Sequence, residues 1–217
     1  MKYDAVIFDL DGVICSTDKY HYLAWKALAD KQGIPFDRQT NQRLRGVSRA
    51  ESLEIILRAV PERVISQEEK QAWMEEKNRT YRCLLERMGP ADLPREVRTT
   101  LEALRTAGLR LGVGSSSRNT KFILSRIGLG SFFDAVADGC DIRHSKPDPE
   151  VFLLAAQRLE AAPGRCLVVE DAWAGIEAAC RGGMDSAAIG DARRHPHRTY
   201  EPERFSDLLR IVEGEDK

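Results

Sequence analysis

Four polar clusters in this chain carry side chains able to do chemistry, and three of them directly follow an apolar run. The first is Asp9-Leu10-Asp11-Gly12, placed after Ala5-Val6-Ile7-Phe8. Period-two alternation puts Asp9 and Asp11 on one side of an extended backbone and Leu10 on the other. Carboxylates so placed repel each other unless a cation lies between them, and a hard, oxygen-seeking ion such as Mg²⁺ suits them. The second cluster is Ser115-Ser116-Ser117-Arg118-Asn119, after the mostly apolar stretch Leu109-Arg110-Leu111-Gly112-Val113-Gly114. The third is Lys146, within Ser145-Lys146-Pro147-Asp148-Pro149, and the fourth is Glu170-Asp171, after Cys166-Leu167-Val168-Val169. Singly each has an ordinary explanation: a turn, a helix cap, a solvated lysine, an acidic pair complementing a helix dipole. Four of them on the carboxyl ends of strands in one open sheet are the composition of a phosphoryl-transfer site.

In such a site Asp9 is the expected nucleophile toward phosphorus. Asp9, Asp171 and the backbone carbonyl of Asp11 are the expected Mg²⁺ ligands, with Glu170 beside them. Ser115, with the residues and amides that follow it (Ser116, Ser117 and Asn119), would cradle the phosphoryl oxygens. Lys146 would add a fixed positive charge. Asp11, its side chain free of the metal, would serve as general acid and base.

The elements that must position these groups follow from periodicity. Strands are expected at about 4–9, 109–114, 132–137, 166–170 and 185–189, alternating with helices from residues 88–90 onward. Asp148 is the expected N-cap of the helix after Lys146, with Pro149 at its first position. This alternation implies an α/β fold with a doubly wound parallel five-stranded sheet. Residues 17–88 interrupt it. They show a helix from His21 carrying Trp25 and stopped by Gly33, and a polar stretch ending in Arg45-Gly46-Val47-Ser48-Arg49. A helix with Leu53, Ile56, Leu57 and Val60 on one face follows, and then a long charged helix from about residue 67. The expected organisation is a catalytic core of residues 1–16 and 89–217 with an all-helical cap, residues 17–88, inserted after the first strand. The hinges fall near Thr17 and near residues 88–90.

Composition narrows the function classes. The 217 residues carry 33 Lys and Arg against 34 Asp and Glu, so no global basic field exists to hold nucleic acid or an anionic membrane. The five cysteines are widely spaced with no C-x-x-C pair, which disfavours structural zinc or a disulfide framework and suggests reduced, mostly buried thiols. The first apolar run is too short for a signal peptide, and no run reaches membrane-spanning length. A cytoplasmic, monomeric enzyme acting on small molecules is expected.

The string Phe8-Asp9-Leu10-Asp11-Gly12-Val13 resembles the nucleophile motif of the haloacid dehalogenase (HAD) superfamily, and Ser115, Lys146 and Glu170-Asp171 match its remaining motifs. The dehalogenases themselves lack the second acid, so Asp11 implies phosphate chemistry. The cap resembles the β-phosphoglucomutase family in particular, through Thr17, Tyr20-His21, Ala24-Trp25, Leu44 to Arg49, Ser52-Leu53 and Lys77-Asn78. That resemblance implies a phosphoryl-transferring isomerase, Mg²⁺-dependent, which interconverts β-glucose 1-phosphate and glucose 6-phosphate through an aspartyl-phosphate and a bisphosphate. A sugar-phosphate phosphatase on the same core is the alternative. It further implies that Arg49 holds the distal phosphate, and that His21, Trp25, Arg45, Gly46, Val47, Ser48, Ser52 and Lys77 contact the sugar or position Asp11. The chain departs from the family pattern at Ser16, Arg45, Ser116 and Arg118, where Asp, Lys, Ala and Lys are usual.

Overall fold

β1 (Ala5–Phe8) is the central strand of a parallel five-stranded sheet with order β3-β2-β1-β4-β5. The other strands are β2 (Arg110–Gly114), β3 (Ala135–Ala137), β4 (Cys166–Glu170) and β5 (Asp185–Ala188). The computed structural model describes residues 1–45 and 47–215. The alternation of β1 sorts the core into two layers. Val6 and Phe8 face a cluster built with α5 (Arg95–Thr106), α6 (Thr120–Arg126) and α9 (Leu208–Glu213), through Leu101, Leu104, Ile123 and Leu208. Ala5 and Ile7 face α7 (Glu150–Arg158) and α8 (Trp173–Arg181), through Val151, Phe152 and Ala178. Helices on both faces leave every strand covered, which is why β1 and β4 read as continuous apolar runs.

Among the described residues between β1 and α5, none joins the sheet. α1 (Asp18–Gln32), α3 (Arg49–Leu57) and α4 (Gln67–Leu85) pack around Trp25, Ile34, Phe36, Leu53, Ile56 and Trp73, and the short α2 (Arg38–Gln42) lies in the connection between α1 and α3. Gly33 closes α1 in a left-handed conformation, and Ser48/Glu51 and Ser66/Glu69 form capping boxes at the starts of α3 and α4. Tyr20, Tyr81 and Leu85 belong to the sheet-side cluster, so the insertion is anchored through the feet of α1 and α4.

Several boundaries differ from expectation. β3 begins at Ala135 rather than 132, because Oδ2 of Asp134 accepts from the backbone N–H of Leu111 at 2.7 Å and takes the place of a ladder carbonyl. α2 falls within the segment expected to be merely polar; Asp37 caps it by accepting from Thr40 N–H at 2.7 Å. α3 ends at Leu57, leaving Val60 in the turn before Pro61. α7 starts one residue late: Pro149 is the cap, and Asp148 accepts from Glu150 N–H at 3.0 Å. Only Cys15 and Cys166 are buried thiols; Cys83, Cys140 and Cys180 are exposed. Among the described residues no helix is long and apolar enough to cross a membrane.

Candidate active site

Strand register builds the acidic end of the site. Phe8 pairs with Val169 on β4 and with Val113 on β2, so the chain emerges from three adjacent strands as Asp9, Glu170-Asp171 and Ser115. Asp9, Glu170 and Asp171 each bring a carboxylate oxygen within 4.8 Å of the others. Lys146 Nζ, almost fully buried, donates to Asp9 Oδ1 at 2.5 Å and to Glu170 Oε2 at 3.1 Å. Burial opposes the ammonium, but Asp9 and Glu170 outweigh it and raise the Lys146 pKa. One ammonium against three carboxylates leaves the group net negative. Burial, reinforced by Asp9, pushes Glu170 well above the usual carboxylate range, and the same causes push Asp171 up to about 7. An all-oxygen donor set with uncompensated charge fits a hard divalent cation.

Two glycines make room for these acids. A Cβ on Gly12, whose φ is +86°, would come within 2.1 Å of an Asp171 oxygen, and one on Gly175 of α8 would lie 2.0 Å from the Glu170 side chain. Any larger residue would push the carboxylates out of the cluster.

The loop after β2 is wound on its own hydroxyls. Ser117 N–H donates to Ser115 Oγ and Asn119 N–H to Ser117 Oγ, both at 3.2 Å. Ser116 Oγ is buried without a hydrogen-bond partner.

Asp11 is separate from the three-carboxylate group. Its Oδ1 accepts from Thr17 N–H and its Oδ2 from Thr17 Oγ1, each at 2.7 Å, and Tyr81 of α4 donates to Thr17 Oγ1 at 2.9 Å. Burial pushes the Asp11 carboxyl up to about 6 against the lowering effect of those two bonds. Thr17, expected as a hinge, thus links the cap to the Asp11 carboxylate. Cys15, close by, has its thiol pKa pushed far up by burial and by Asp11 and Asp9, which opposes a nucleophilic role.

Across the cavity, Lys77 Nζ lies 3.0 Å from His21 Nδ1 and 4.9 Å from the centre of the Trp25 ring. Burial, then Lys77 and Arg49, hold His21 well below its ordinary pKa. A neutral ring accepting from Lys77 carries its proton on Nε2, 3.8 Å from Asp11 Oδ2. Arg49 Nη2 donates to Asn78 Oδ1 at 2.8 Å, and Asn119 Nδ2 of the core donates to that same oxygen at 3.0 Å. Burial and then the guanidinium of Arg118 lower the Arg49 pKa. Arg45 pairs with Asp18 at 2.7 Å and reaches Asp191 of the core at 3.4 Å.

A single cavity of about 730 Å³ runs between these two ends. Asp9, Asp11, Asp171, the 115–119 loop, His21, Trp25, Arg45, Val47, Ser48, Arg49, Ser52 and Lys77 all line it. Lys146 and Glu170 lie behind that lining, in contact with Asp9 and with each other. Two expected sugar contacts are engaged locally: Ser48 in the α3 capping box, and Ser52 Oγ donating to the Ser48 carbonyl at 2.9 Å. Gly46 lies outside the described residues. Tyr81 and Asp18 carry no expectation from the sequence, and Asn78 only a place in the family resemblance without a role. Tyr81 sits four residues after Lys77, one helical turn on the same face, and that spacing was the available signal.

Residues 3–183 match the family model for haloacid dehalogenase-like hydrolases. The chain is 43% identical over 190 residues to a β-phosphoglucomutase of Bacillus subtilis, covering 87% of this chain and 84% of that protein. It is 32% identical to a phosphorylated carbohydrates phosphatase of Thermotoga maritima, with 84% and 82% covered. The crystal structure of a Clostridium difficile β-phosphoglucomutase superposes with a TM-score of 0.91 at 34% identity, over 98% of both chains. With its parallel sheet, its inserted helices and its acids at the strand ends, the chain belongs to the haloacid dehalogenase superfamily of enzymes, in which β-phosphoglucomutases are among its relatives.

Proposed function

We propose that the enzyme is a β-phosphoglucomutase: it moves a phosphoryl group between Asp9 and the hydroxyls of a hexose phosphate, interconverting β-glucose 1-phosphate and glucose 6-phosphate. The observation that carries this is the pairing of two unlike ends in one cavity. Asp9 and Lys146 meet at one end, and Arg49 lies beside Arg118 at the other. An enzyme that turns its intermediate end for end must hold one phosphate while the other reacts, and two separate places serve that need: an acidic end suited to a bound cation and a distal end that is itself cationic. The identity to the Bacillus subtilis mutase supports it.

In this proposal an oxygen of Asp9 attacks phosphorus as the ester bond to the sugar oxygen breaks, and Asp11 gives that oxygen its proton. In the return step Asp11 takes the proton of the attacking hydroxyl while the aspartyl-phosphate bond breaks. A carboxyl raised toward neutrality suits both directions. Asp11 must first release Thr17, so the hinge gates proton transfer. Ser115 and the amides after it receive the phosphoryl oxygens, and Lys146 neutralises charge on them. Asp9, Asp171 and the Asp11 carbonyl would hold Mg²⁺, with Glu170 alongside; bound there, the ion supplies charge stabilisation for the transferring group. His21, Trp25, Arg45 and Lys77 line the sugar's path.

Phosphorus NMR tests the proposal: β-glucose 1-phosphate with enzyme, Mg²⁺ and a trace of the 1,6-bisphosphate should yield glucose 6-phosphate. Inorganic phosphate as the main product would instead make the enzyme a sugar-phosphate phosphatase, the reading that its similarity to the Thermotoga maritima protein favours.

A further inference from the structure

We infer that Asn78 is the positioning residue of the distal phosphate site, and that its being an amide rather than a carboxylate is what keeps that site cationic. The inference rests on the proposed role of Arg49. Arg49 is partly buried beside a second guanidinium, Arg118, and both burial and that like charge weaken its hold on its proton. A guanidinium so placed is ordinarily tied down by a carboxylate. Here the acceptor for Arg49 is the amide oxygen of Asn78, at 2.8 Å. That oxygen also accepts from Asn119 Nδ2, which comes from the opposite side of the cavity at 3.0 Å. Asn78 thus converges a cap donor and a core donor on one point. It uses one of the five N–H donors of Arg49 and one of the two of Asn119, and among the described residues the others take no protein acceptor.

The chemistry of the acceptor matters. An amide oxygen fixes the direction of a guanidinium without cancelling its charge. A carboxylate in the same place would make the same two hydrogen bonds with added Coulomb energy, and would compete with an incoming phosphate for Arg49. A cap–core strut and a phosphate receptor therefore make opposite demands on residue 78. A strut would work as well or better with Asp; a receptor would be spoiled by it.

The test compares Asn78→Asp with Asn78→Ala in the full chain with Mg²⁺, using glucose 1,6-bisphosphate as phosphoryl donor. This donor serves whether the enzyme proves a mutase or a phosphatase. For a positioning residue, Asn78→Asp should raise KM at least tenfold with kcat changed less than threefold, and Asn78→Ala should raise KM by a smaller factor. In an Arg49→Ala background the added effect of Asn78→Asp should vanish. The reverse order, with Ala worse than Asp, would assign Asn78 to holding the cap on the core and overturn the inference. Asn78→Asp matching the unsubstituted enzyme while Arg49→Ala is impaired would overturn it equally. If Arg49→Ala leaves KM unchanged, the distal phosphate reading itself fails and the role of Asn78 falls with it. Should Asn78→Asp not fold, as judged by its melting curve, a KM for Asn78→Ala equal to that of the unsubstituted enzyme overturns the inference alone.

Discussion

The two ends of the cavity hold their charge by opposite means. At the sheet end, two carboxylates hold one buried ammonium and a third crowds against them, on elements whose relative positions are set by the strand ladder. At the cap end, a guanidinium at the first residue of a helix is steadied by a neutral amide and a side chain from the other side. Excess negative charge at one end calls for a cation, and excess positive charge at the other calls for an anion. A metal ion and a sugar carrying phosphate satisfy both at once. The sheet end owes its geometry to backbone register; the cap end owes it to side chains reaching across from separate elements.

The sheet end should be the less forgiving of the two. Asp9→Asn should abolish phosphoenzyme formation from any donor, read as loss of radiolabel incorporation; a labelled Asp9→Asn protein would remove Asp9 as the nucleophile. Asp11→Ala should slow transfer to and from sugar hydroxyls by roughly 10²–10⁴-fold. It should slow phosphorylation by acetyl phosphate far less, since that leaving group hardly needs a proton. Equal slowing with both donors would sink the general-acid assignment.

At the cap end, Arg49→Ala should cost on the order of 10²-fold in kcat/KM for β-glucose 1-phosphate, the loss of a charge-assisted pair of about 2–3 kcal/mol. Phosphorylation by acetyl phosphate, which has no distal phosphate, should continue in the same preparation. Mutase activity that survives the loss of Arg49 would move the distal site elsewhere.

The smallest expected effect is on stability. The Asp171 pKa is raised from 3.8 to about 7, chiefly by burial and then by Asp9 and Asp11. The folded protein therefore binds that proton more tightly than the unfolded chain does. The resulting stabilisation is present below about pH 4 and is lost as pH rises through 7. Without Mg²⁺, Asp171→Asn should match the unsubstituted protein in Tm near pH 4, pull ahead as pH rises, and exceed it by a few degrees at pH 8, about 1–2 kcal/mol after screening by solvent. Added Mg²⁺ at pH 8 should close or reverse the gap. A constant difference across that range would mean that Asp171 does not carry the strain.

How much of this could be read from the chain alone follows the same division. Asp9, Ser115 and Glu170-Asp171 were legible because each directly follows an apolar run, and a run of that kind fixes both the strand and the end at which it stops. Lys146 was legible through its neighbours Pro147, Asp148 and Pro149. The cap residues were legible through resemblance alone, since nothing in the spacing of Arg49 or Lys77 states what they face. The roles of Asn78 and Tyr81 escaped because their partners, Asn119 and Thr17, are 41 and 64 residues away. β3 was overdrawn because Phe132 and Phe133 are good strand formers that here pack against each other at the edge of the core. Where a side chain substitutes for a backbone carbonyl, as Asp134 does, propensity gives no warning.

The tail, opaque in sequence, lies along the outer flank of β5. Tyr200 pairs with Ala187; its N–H donates to the Ser186 carbonyl at 2.8 Å, and its own carbonyl accepts from Ala188 N–H at 2.9 Å. An exposed strand edge is a template for strand addition by another copy. The opposite edge, β3, is only three residues long and offers little to copy. Tyr200→Pro, which removes the N–H that donates to Ser186 but leaves α9 in the core, would therefore loosen the cover on the more dangerous flank, and the variant should self-associate on warming through edge-to-edge pairing at Asp185–Ala188.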